Sequence, residues 1–577
     1  MEGGSRMYSL IAAVPILACV VMMVFFNQPA TRSLITAWLL ACVVGVLVWG
    51  MSLQGALAQT LAGFLNALST IFIIFGAIFL MNTLKQSGAM ASISTMFNSI
   101  TRDARIQAVL IGFVFAGFVE GSSGFGTPAA LCAPILMGLG FPPLAAATIC
   151  LIYNSTPVNP GPVGVPLITA ASVVKDQVVQ AGGDFDKFQF LLTRWVCIPN
   201  MIGGVFIIFI GVCVLCKVYG RNHSFKDALS ALPFCLFSAA VVACFYLFMA
   251  IFVGTPELVS MVGFIAALPV LMLAARKGFL MPRDEWTFEG VEEWGDKSWQ
   301  SSVEVSKTKS KGMSTKLAWL PYVIIGVLLV LTRLNAFGLK DLFNSAALTT
   351  NVTGILGVEN ANWKFSWLYN PGLFPFVPVA ALTMLLHHMS GEECATAVRD
   401  SFKQAKGAAI ALLFGVAMVQ IYRYTSSAAI GATVGEAAEY TFKNSSMLYM
   451  MATGLASVFS SAYFVVSPLI GVLGAFMSGS CTVSNTLFAS LQFETASIVG
   501  LPQILIIALQ TMGGGIGNMV CVNNIVSVCA TTGTNGVEGK ILRVNIWPCL
   551  IYATIVMLVI GAVILSGFNP MPEMLAR

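Results

Sequence analysis

Three long stretches of this sequence carry no Asp, Glu, Lys or Arg: Gly121–Val174, Asn444–Phe493 and Thr495–Val537. Charged residues make up only 10% of the 577 residues, against about 25% in soluble domains. A helix needs about 20 apolar residues to cross a bilayer, so these stretches predict membrane-spanning helices. The net charge of +5 is too small for a groove that follows nucleic-acid phosphates. We therefore predict an all-α polytopic membrane protein, with the lipid bilayer and not nucleic acid as a partner.

Apolar runs and charged loops divide the chain into two transmembrane halves. Residues 1–275 form the first half, with a broken-helix region at 105–175. Residues 317–577 form the second, with a broken-helix region at 445–530. The charged segment 276–316 is interpreted as a cytoplasmic linker, either a plain connector or a regulatory segment, because Lys and Arg in alternate short loops place it inside and the N-terminus outside. We expect roughly 12 to 14 transmembrane helices in two inverted repeats with discontinuous helices or re-entrant hairpins.

The two broken regions interrupt their apolar runs in the same order. Each has a break rich in small and polar residues, a short turn and a second break. In the first half these are Glu120–Pro128, Gly140–Pro143 and Asn154–Pro162, and in the second Ser478–Asn485, Gly500–Pro502 and Thr511–Asn518. Backbone that leaves the helix at membrane depth has to line a cavity or be buried in protein. Paired interruptions therefore favour the substrate site of a secondary transporter, although small residues also serve close helix packing.

Uncharged polar residues at the breaks are the candidate substrate ligands. Half-helices that begin near Thr127, Asn485 and Gly517 would direct partial positive charge towards a ligand between them. Such a site suits a small anion that carries hydroxyl groups. The candidates at the breaks are Ser122, Ser123, Gly124, Thr127, Asn154, Thr156, Ser480, Ser484, Asn485, Thr511 and Asn518.

Two ionisable residues stand beside the uncharged stretches. Glu120 opens the first break, at a depth where a charge is costly and usually functional. We interpret it as a proton carrier or polar gate, and a helix-capping carboxylate is the alternative. Arg423 and its neighbour Tyr424 could hold a substrate carboxylate, or Arg423 could extend to the membrane surface.

Enzymatic chemistry is not expected. The 14 Cys and 3 His show no metal-ligand spacing, and the sequence has no nucleotide-binding Gly-Lys-Ser/Thr loop. We therefore predict that the protein is not an enzyme and uses no cofactor.

Several motifs resemble those of the lactate permease family. The stretch Gly117–Pro128 is similar to the family's Glu-Gly-Ala-Ala-Gly-Phe-Gly-Ala-Pro segment, and Ser484–Gln492 resembles its Ser-Asn-Ala-Leu-Phe-Ala-Ala-Leu-Gln segment. Gly254–Leu258 and Lys364–Trp367 also look familiar. The likeness runs in register along nearly the whole chain.

This resemblance implies a multi-pass carrier of the bacterial inner (cytoplasmic) membrane that takes up lactate or glycolate with protons. Two residues depart from the family pattern: Cys481 stands where Asp is usual, and Asn518 where Lys is usual. The departures resemble the loss of a charge pair, for which Arg423 could supply a replacement cation. Sodium coupling with another small organic anion, a channel-like uniporter for the same anion and association into a homo-oligomer are left open.

Overall fold

The computed structural model describes residues 2–24, 26, 28–95, 100–122, 124, 127–299, 313–333, 338–425, 445–534 and 537–574. These residues are almost entirely helical, which confirms the predicted all-α class. One antiparallel hairpin, β1 (Thr349–Val352) with β2 (Trp363–Ser366), pairs Thr349 with Ser366. The candidate residue Ser123 lies outside the described residues.

The first half contains long helices interspersed with short ones. The described helices are α1 (Glu2–Val24), α2 (Ala30–Leu47), α3 (Leu53–Gln86), α4 (Ala89–Thr95), α5 (Ala104–Gln107), α6 (Ala116–Ser122), α7 (Thr127–Gly138), α8 (Pro143–Asn154), α9 (Val165–Val173), α10 (Lys175–Gln180), α11 (Phe185–Val218), α12 (Lys226–Leu229), α13 (Leu232–Phe248) and α14 (Pro256–Arg276). A π-helical stretch, Ala108–Phe115, joins α5 to α6.

The linker and the second half also contain long helices interspersed with short ones. Their described helices are α15 (Val291–Trp294), α16 (Thr315–Arg333), α17 (Leu339–Phe343), α18 (Val377–Leu386), α19 (Gly391–Tyr424), α20 (Met447–Phe459), α21 (Tyr463–Ser478), α22 (Cys481–Val499), α23 (Gln503–Gly517), α24 (Val522–Thr532), α25 (Glu538–Leu565) and α26 (Met571–Met574).

Within the described part of the chain, nine helices are long and apolar enough to cross a membrane. Shorter apolar helices accompany them, among them α7 and α8 with 12 residues each. At 1.5 Å per residue such a helix is about 18 Å long, which is too short for a hydrocarbon core of about 30 Å. Discontinuous helices are therefore present, as predicted from the breaks.

One helical hairpin follows the first break in each half. In the first, α7 and α8 are joined at Gly140, and α9 follows after the second break. In the second, α22 and α23 are joined at Gly500, and α24 follows. The order of break, helix, turn, helix, break and helix is thus the same in both halves.

One face of the protein gathers loops that are rich in basic residues. Arg105 pairs with Asp284, which brings the start of the α5–α6 span against the linker. On the same side the Tyr219 and Trp299 rings lie 5.4 Å apart between centroids. We call this side the basic face, and the positive-inside rule identifies it as the predicted cytoplasmic side.

The turns of the two hairpins lie on opposite faces. The Phe141 ring, in the turn between α7 and α8, lies 5.1 Å from the Phe288 ring of the linker, on the basic face. Near the turn between α22 and α23, Glu494 accepts a hydrogen bond from Gln177, next to α9 on the other side. The open ends of both hairpins therefore meet between the faces. This is the arrangement that inverted repeats produce, and the inverted relation of the halves stays a prediction.

The described part of the linker is docked on the first half. Asp103 accepts a hydrogen bond from the Trp286 backbone N–H, and the Ala104 N–H donates to the Trp286 carbonyl at 2.8 Å. The Arg105 side chain is fully buried, pairs with Asp103 at 2.6 Å, and donates to the Asp284 carbonyl at 2.8 Å. Arg105 thus fastens the linker to the first half by charge-assisted hydrogen bonds.

We expect Arg105→Ala to destabilise the protein by about 3–5 kcal/mol, because it leaves a buried carboxylate without its cation. Trypsin cleavage at Arg283 should accelerate as the linker detaches. The control is Arg102→Ala: this side chain is 77% exposed and pairs with Glu285 and Glu289, so we expect a loss of about 0–1 kcal/mol. Thermal unfolding in detergent and timed proteolysis measure both effects. Equal loss of stability and equal rates of cleavage in the two variants would contradict the role of Arg105 in fastening the linker.

Candidate functional site

The second break of the first half contacts the hairpin of the second half. The Asn485 side-chain amide donates to the Pro166 carbonyl at 3.0 Å. The Cys481 Sγ lies 4.0 Å from Asn159 Oδ1 and 3.4 Å from the Thr511 carbonyl. We call this contact region, residues 154–166 against residues 480–518, the central junction.

Glycine permits the side chains of Asn159 and Cys481 to approach the α23 backbone closely at the central junction. A Cβ added to Gly515 would lie 2.2 Å from Asn159 Nδ2, and one added to Gly514 would lie 2.8 Å from Cys481 Sγ. Both distances are far shorter than a carbon contact of about 3.5–4.0 Å. The glycines predicted as helix breakers therefore act here as contact surfaces.

Half-helix N-termini are partly where the sequence predicts them. Helix α7 begins at Thr127, as predicted. Helix α22 begins at Cys481, with Ser480 as N-cap accepting from the Val483 N–H, so Asn485 lies one turn inside it. The predicted start near Gly517 is wrong, because α23 ends there and α24 begins at Val522. The glycine run stays helical: its cost of about 1 kcal/mol per residue is offset by packing as close as that of Gly513 on the Pro468 carbonyl.

Glu120 lies in the last turn of α6 and is 2% exposed. Its Oε2 has no hydrogen-bond partner among the described residues, while the Asn154 side chain is within hydrogen-bonding reach of the carboxyl group. The Cys481 thiol is close enough to interact electrostatically with this carboxyl. No described cation balances Glu120, and the C-terminal end of a helix disfavours negative charge. The structure therefore holds an uncompensated carboxyl group beside the central junction.

Most of the other candidates at the breaks lie in or against the central junction. The Thr156 hydroxyl lies 3.2 Å from the Tyr552 hydroxyl, and Ser484 donates to the Gly471 carbonyl at 2.8 Å. The Gly124 backbone, with φ of +56°, packs on Pro162. Asn154 and Asn518 are 3% and 8% exposed, and the Oδ1 atom of each lacks a partner within the described ranges.

Two candidates donate hydrogen bonds within their own helices. The Ser122 hydroxyl donates to the Val119 carbonyl of its own helix. The Thr511 hydroxyl likewise donates to Ile507, and only its carbonyl faces Cys481. Thr127 begins α7, but its side chain lies outside the described part of the structure.

Sequence reasoning missed a polar cluster beneath the central junction. Asn200 donates to the Thr156 carbonyl at 2.9 Å and accepts at Oδ1 from the Tyr552 hydroxyl at 2.9 Å. The Tyr246 hydroxyl donates to the Asn159 carbonyl. These residues lie within unbroken apolar helices, where the available signal was an isolated polar side chain, such as Asn200 after Pro199.

Arg423 and Tyr424 lie away from the central junction. Arg423 pairs with Asp176 at 3.1 Å, and the Tyr424 hydroxyl donates to the same carboxylate at 2.8 Å. Burial raises the pKa of Asp176, but the Arg423 charge and the Tyr424 hydroxyl more than offset burial and bring this pKa below its usual value. The structure thus does not bring Arg423 to Cys481 or Asn518 as a replacement cation.

Two adjoining cavities of about 620 and 560 Å³ open on the face opposite the basic face. Both are lined by Ser69, Ser172, Lys175, Phe185 and Lys364. We call them together the vestibule. The two cavities reach Ile168 and Thr169 of α9, which lie two and three residues from Pro166, or about 3–4.5 Å along a helix axis. The vestibule therefore ends close to the central junction.

An all-helical membrane protein with paired half-helices meeting below a one-sided vestibule has the architecture of a transporter, not of an enzyme. The family model described as L-lactate permease matches residues 8–566, and the chain belongs to this family.

Relatives and solved structures extend the comparison. The chain is 29% identical to a putative L-lactate permease of Haemophilus influenzae, over 95% of this chain and 96% of that one. It is 28% identical to the L-lactate permease of Escherichia coli K12, covering 96% and 95% of the two chains. The glycolate permease GlcA of the same strain is 26% identical, again over 96% and 95%. Among solved structures, the YdaH transporter of Alcanivorax borkumensis aligns over 94% of this chain and 99% of that one, with 12% identity and a TM-score of 0.47.

Proposed function

We propose that this protein takes up a small 2-hydroxy monocarboxylate, lactate or glycolate, together with protons across the bacterial cytoplasmic membrane. The observation that carries the proposal is the meeting of two helix breaks at an uncharged, glycine-lined junction beside the buried Glu120. The names of the relatives, L-lactate permease and glycolate permease, support this class of cargo.

Helix ends supply the attraction for the carboxylate. The N-termini of α7 and α22, at Thr127 and Cys481, carry partial positive charge near the junction. An anion binds such ends through backbone N–H groups without a formal cation. The Asn154 Oδ1 atom, which has no partner among the described residues, would accept a hydrogen bond from the hydroxyl group that distinguishes a 2-hydroxy acid.

Glu120 supplies the coupling. A carboxylate substrate and an ionised Glu120 would repel each other in a site that has little water to screen them. Binding of the anion therefore favours protonated Glu120, and the loaded site carries one negative charge instead of two. A carrier that moves with substrate only when Glu120 is protonated, and returns empty after Glu120 has released its proton, transports substrate and proton together.

Because Cys481 is not acidic, proton coupling at this site depends on Glu120. An acidic residue at position 481 would offer a second proton carrier. A thiol at this position adds no second carboxyl group, so Glu120 is the carboxyl group beside Cys481 within the described ranges. Sodium coupling is the second candidate, because the unpartnered Oδ1 atoms of Asn154 and Asn518 are potential cation ligands.

A competition assay tests the substrate class. Purified protein in proteoliposomes takes up labelled lactate in the presence of excess unlabelled lactate, glycolate, pyruvate, acetate or a larger dicarboxylate. We expect lactate and glycolate to compete most strongly, because acetate lacks the 2-hydroxyl group. Failure of both 2-hydroxy acids to compete would contradict the substrate assignment.

Counterflow separates a carrier from a channel. A carrier loaded with unlabelled lactate accumulates labelled lactate transiently, whereas a channel-like uniporter only equilibrates the label. We expect an overshoot in liposomes preloaded with lactate and none in liposomes preloaded with chloride.

A further inference from the structure

We propose that Lys175 and Lys364 form an entry site in the vestibule, where the carboxylate of a small organic acid is held before it reaches the central junction. This inference rests on the proposed function in that the cargo is a small carboxylate.

The smaller cavity carries an excess of positive charge. Three cations, Lys175, Lys364 and Arg423, line it together with one carboxylate, Asp176. Arg423 is neutralised by Asp176 in a contact of 3.1 Å. Within the described ranges, neither lysine has a carboxylate within 4.0 Å, and Lys175 lies over the Phe185 ring at 5.2 Å. Asp176 also interacts electrostatically with its neighbour Lys175, so the attraction for a ligand comes from the excess of three cations over one carboxylate in this lining.

The larger cavity is closer to neutral. Lys340 lines it but pairs with Asp186 at 3.5 Å, and Glu257 also contributes to its wall. An anion in the vestibule is therefore drawn towards the wall that the two cavities share, which is where Lys175 and Lys364 lie.

Lys364 is held over the cavity by a braced hairpin. It lies on β2 between Trp363 and Phe365, whose rings stack with centroids 5.8 Å apart. Asn370 just beyond the strand donates to the Ser69 carbonyl of α3 at 2.9 Å. The Lys364–Trp367 motif does not contribute to the central junction. Its role in this proposal is to hold Lys364 at the cavity wall.

Lys175 lies just beyond the C-terminal end of α9, the helix that connects the vestibule with the central junction. It begins α10, immediately after α9, and α9 begins at Val165 beside the central junction. From Lys175 to Pro166 is about 13 Å along a helix axis. Thr169 and Ser172 line the cavity along this helix and offer hydroxyl groups to an acid that moves inwards.

Kinetics of the Lys175→Gln, Lys364→Gln and double variants test the entry site. At low ionic strength we expect the double variant to raise the KM for lactate about fivefold, with little change in maximal rate, and the difference to fade at high salt. The matched control is Lys187→Gln, an exposed lysine nearby in the chain that lines neither cavity. An unchanged KM in the double variant, or an equal rise in the control, would overturn the proposal.

A second readout does not depend on the cargo. Ser172→Cys places a reporter thiol on the wall shared by both cavities. Anionic and cationic methanethiosulfonate reagents then report the local potential through the ratio of their reaction rates. We expect the anionic-to-cationic ratio to fall about fivefold when both lysines are replaced, and an unchanged ratio would overturn the entry site. If the unmodified protein carries neither lactate nor glycolate, the proposed function fails while this ratio still tests the lysine pair.

Discussion

Replacing Glu120 by Gln is expected to abolish lactate accumulation driven by an imposed pH gradient, while exchange of lactate for lactate continues. Gln keeps the size and hydrogen bonding of the protonated acid but cannot release a proton. The buried carboxyl has no described cation beside it and an unpartnered Oε2, so the neutral amide is tolerated at this position. The loaded carrier would then move without a proton, and the pH gradient would no longer drive it.

The matched control for this prediction is Glu494→Gln. Glu494 is a half-buried carboxyl that accepts a hydrogen bond from Gln177 at 2.9 Å, nine residues after Asn485, or about 13.5 Å along α22. We expect Glu494→Gln to retain gradient-driven accumulation. Full accumulation by Glu120→Gln would rule out Glu120 as the proton carrier.

Substituting Gly515 by Val is expected to block transport by disturbing the contact of α23 with Asn159, which lies in the second break of the first half. The first added carbon alone would lie 2.2 Å from Asn159 Nδ2, so either the buried Asn159 side chain loses its hydrogen bond to Asn200 or α23 moves away. Overpacking of this kind costs about 1–3 kcal/mol, which corresponds to roughly a 5- to 150-fold change in an equilibrium constant. We expect uptake to fall by about fivefold or more on this scale.

The same change at Gly407 controls for helix propensity. Gly407 is exposed on α19, and a Cβ there would meet no atom within 4 Å. Gly407→Val should therefore retain uptake and elution as a single species. Gly515→Ala adds the smallest side chain. If the valine variant fails to fold, uptake by Gly515→Ala is compared with uptake by the Gly407 control instead. Normal uptake by both Gly515 variants would contradict a functional junction at this contact.

The paired breaks could be predicted because the bilayer restricts what a backbone can do. Unpaired N–H and C=O groups are not tolerated in lipid, so clusters such as Asn154–Pro162 had to be buried in protein. The same reasoning misplaced the half-helix near Gly517. A glycine run at this depth breaks a helix or packs it closely, and only the contact with Pro468 decides between the two.

Long-range partners could not be read from the chain. Arg423 was an isolated cation, and nothing local indicates that Asp176 of the other half neutralises it. Asn200 and Tyr552 belong to apolar helices whose rotation about their axes is set by packing against the junction. A sequence pattern gives the apolar face of an amphipathic helix, whereas a helix that is apolar on all sides shows no such face.

The most direct test is accumulation of labelled lactate and glycolate by the purified protein in proteoliposomes under an imposed inward proton gradient. We expect at least one of the two acids to accumulate above its external concentration, with sodium absent, and a protonophore to abolish that accumulation. Accumulation of neither acid under the proton gradient, by protein that still catalyses counterflow of lactate, would contradict proton-coupled uptake.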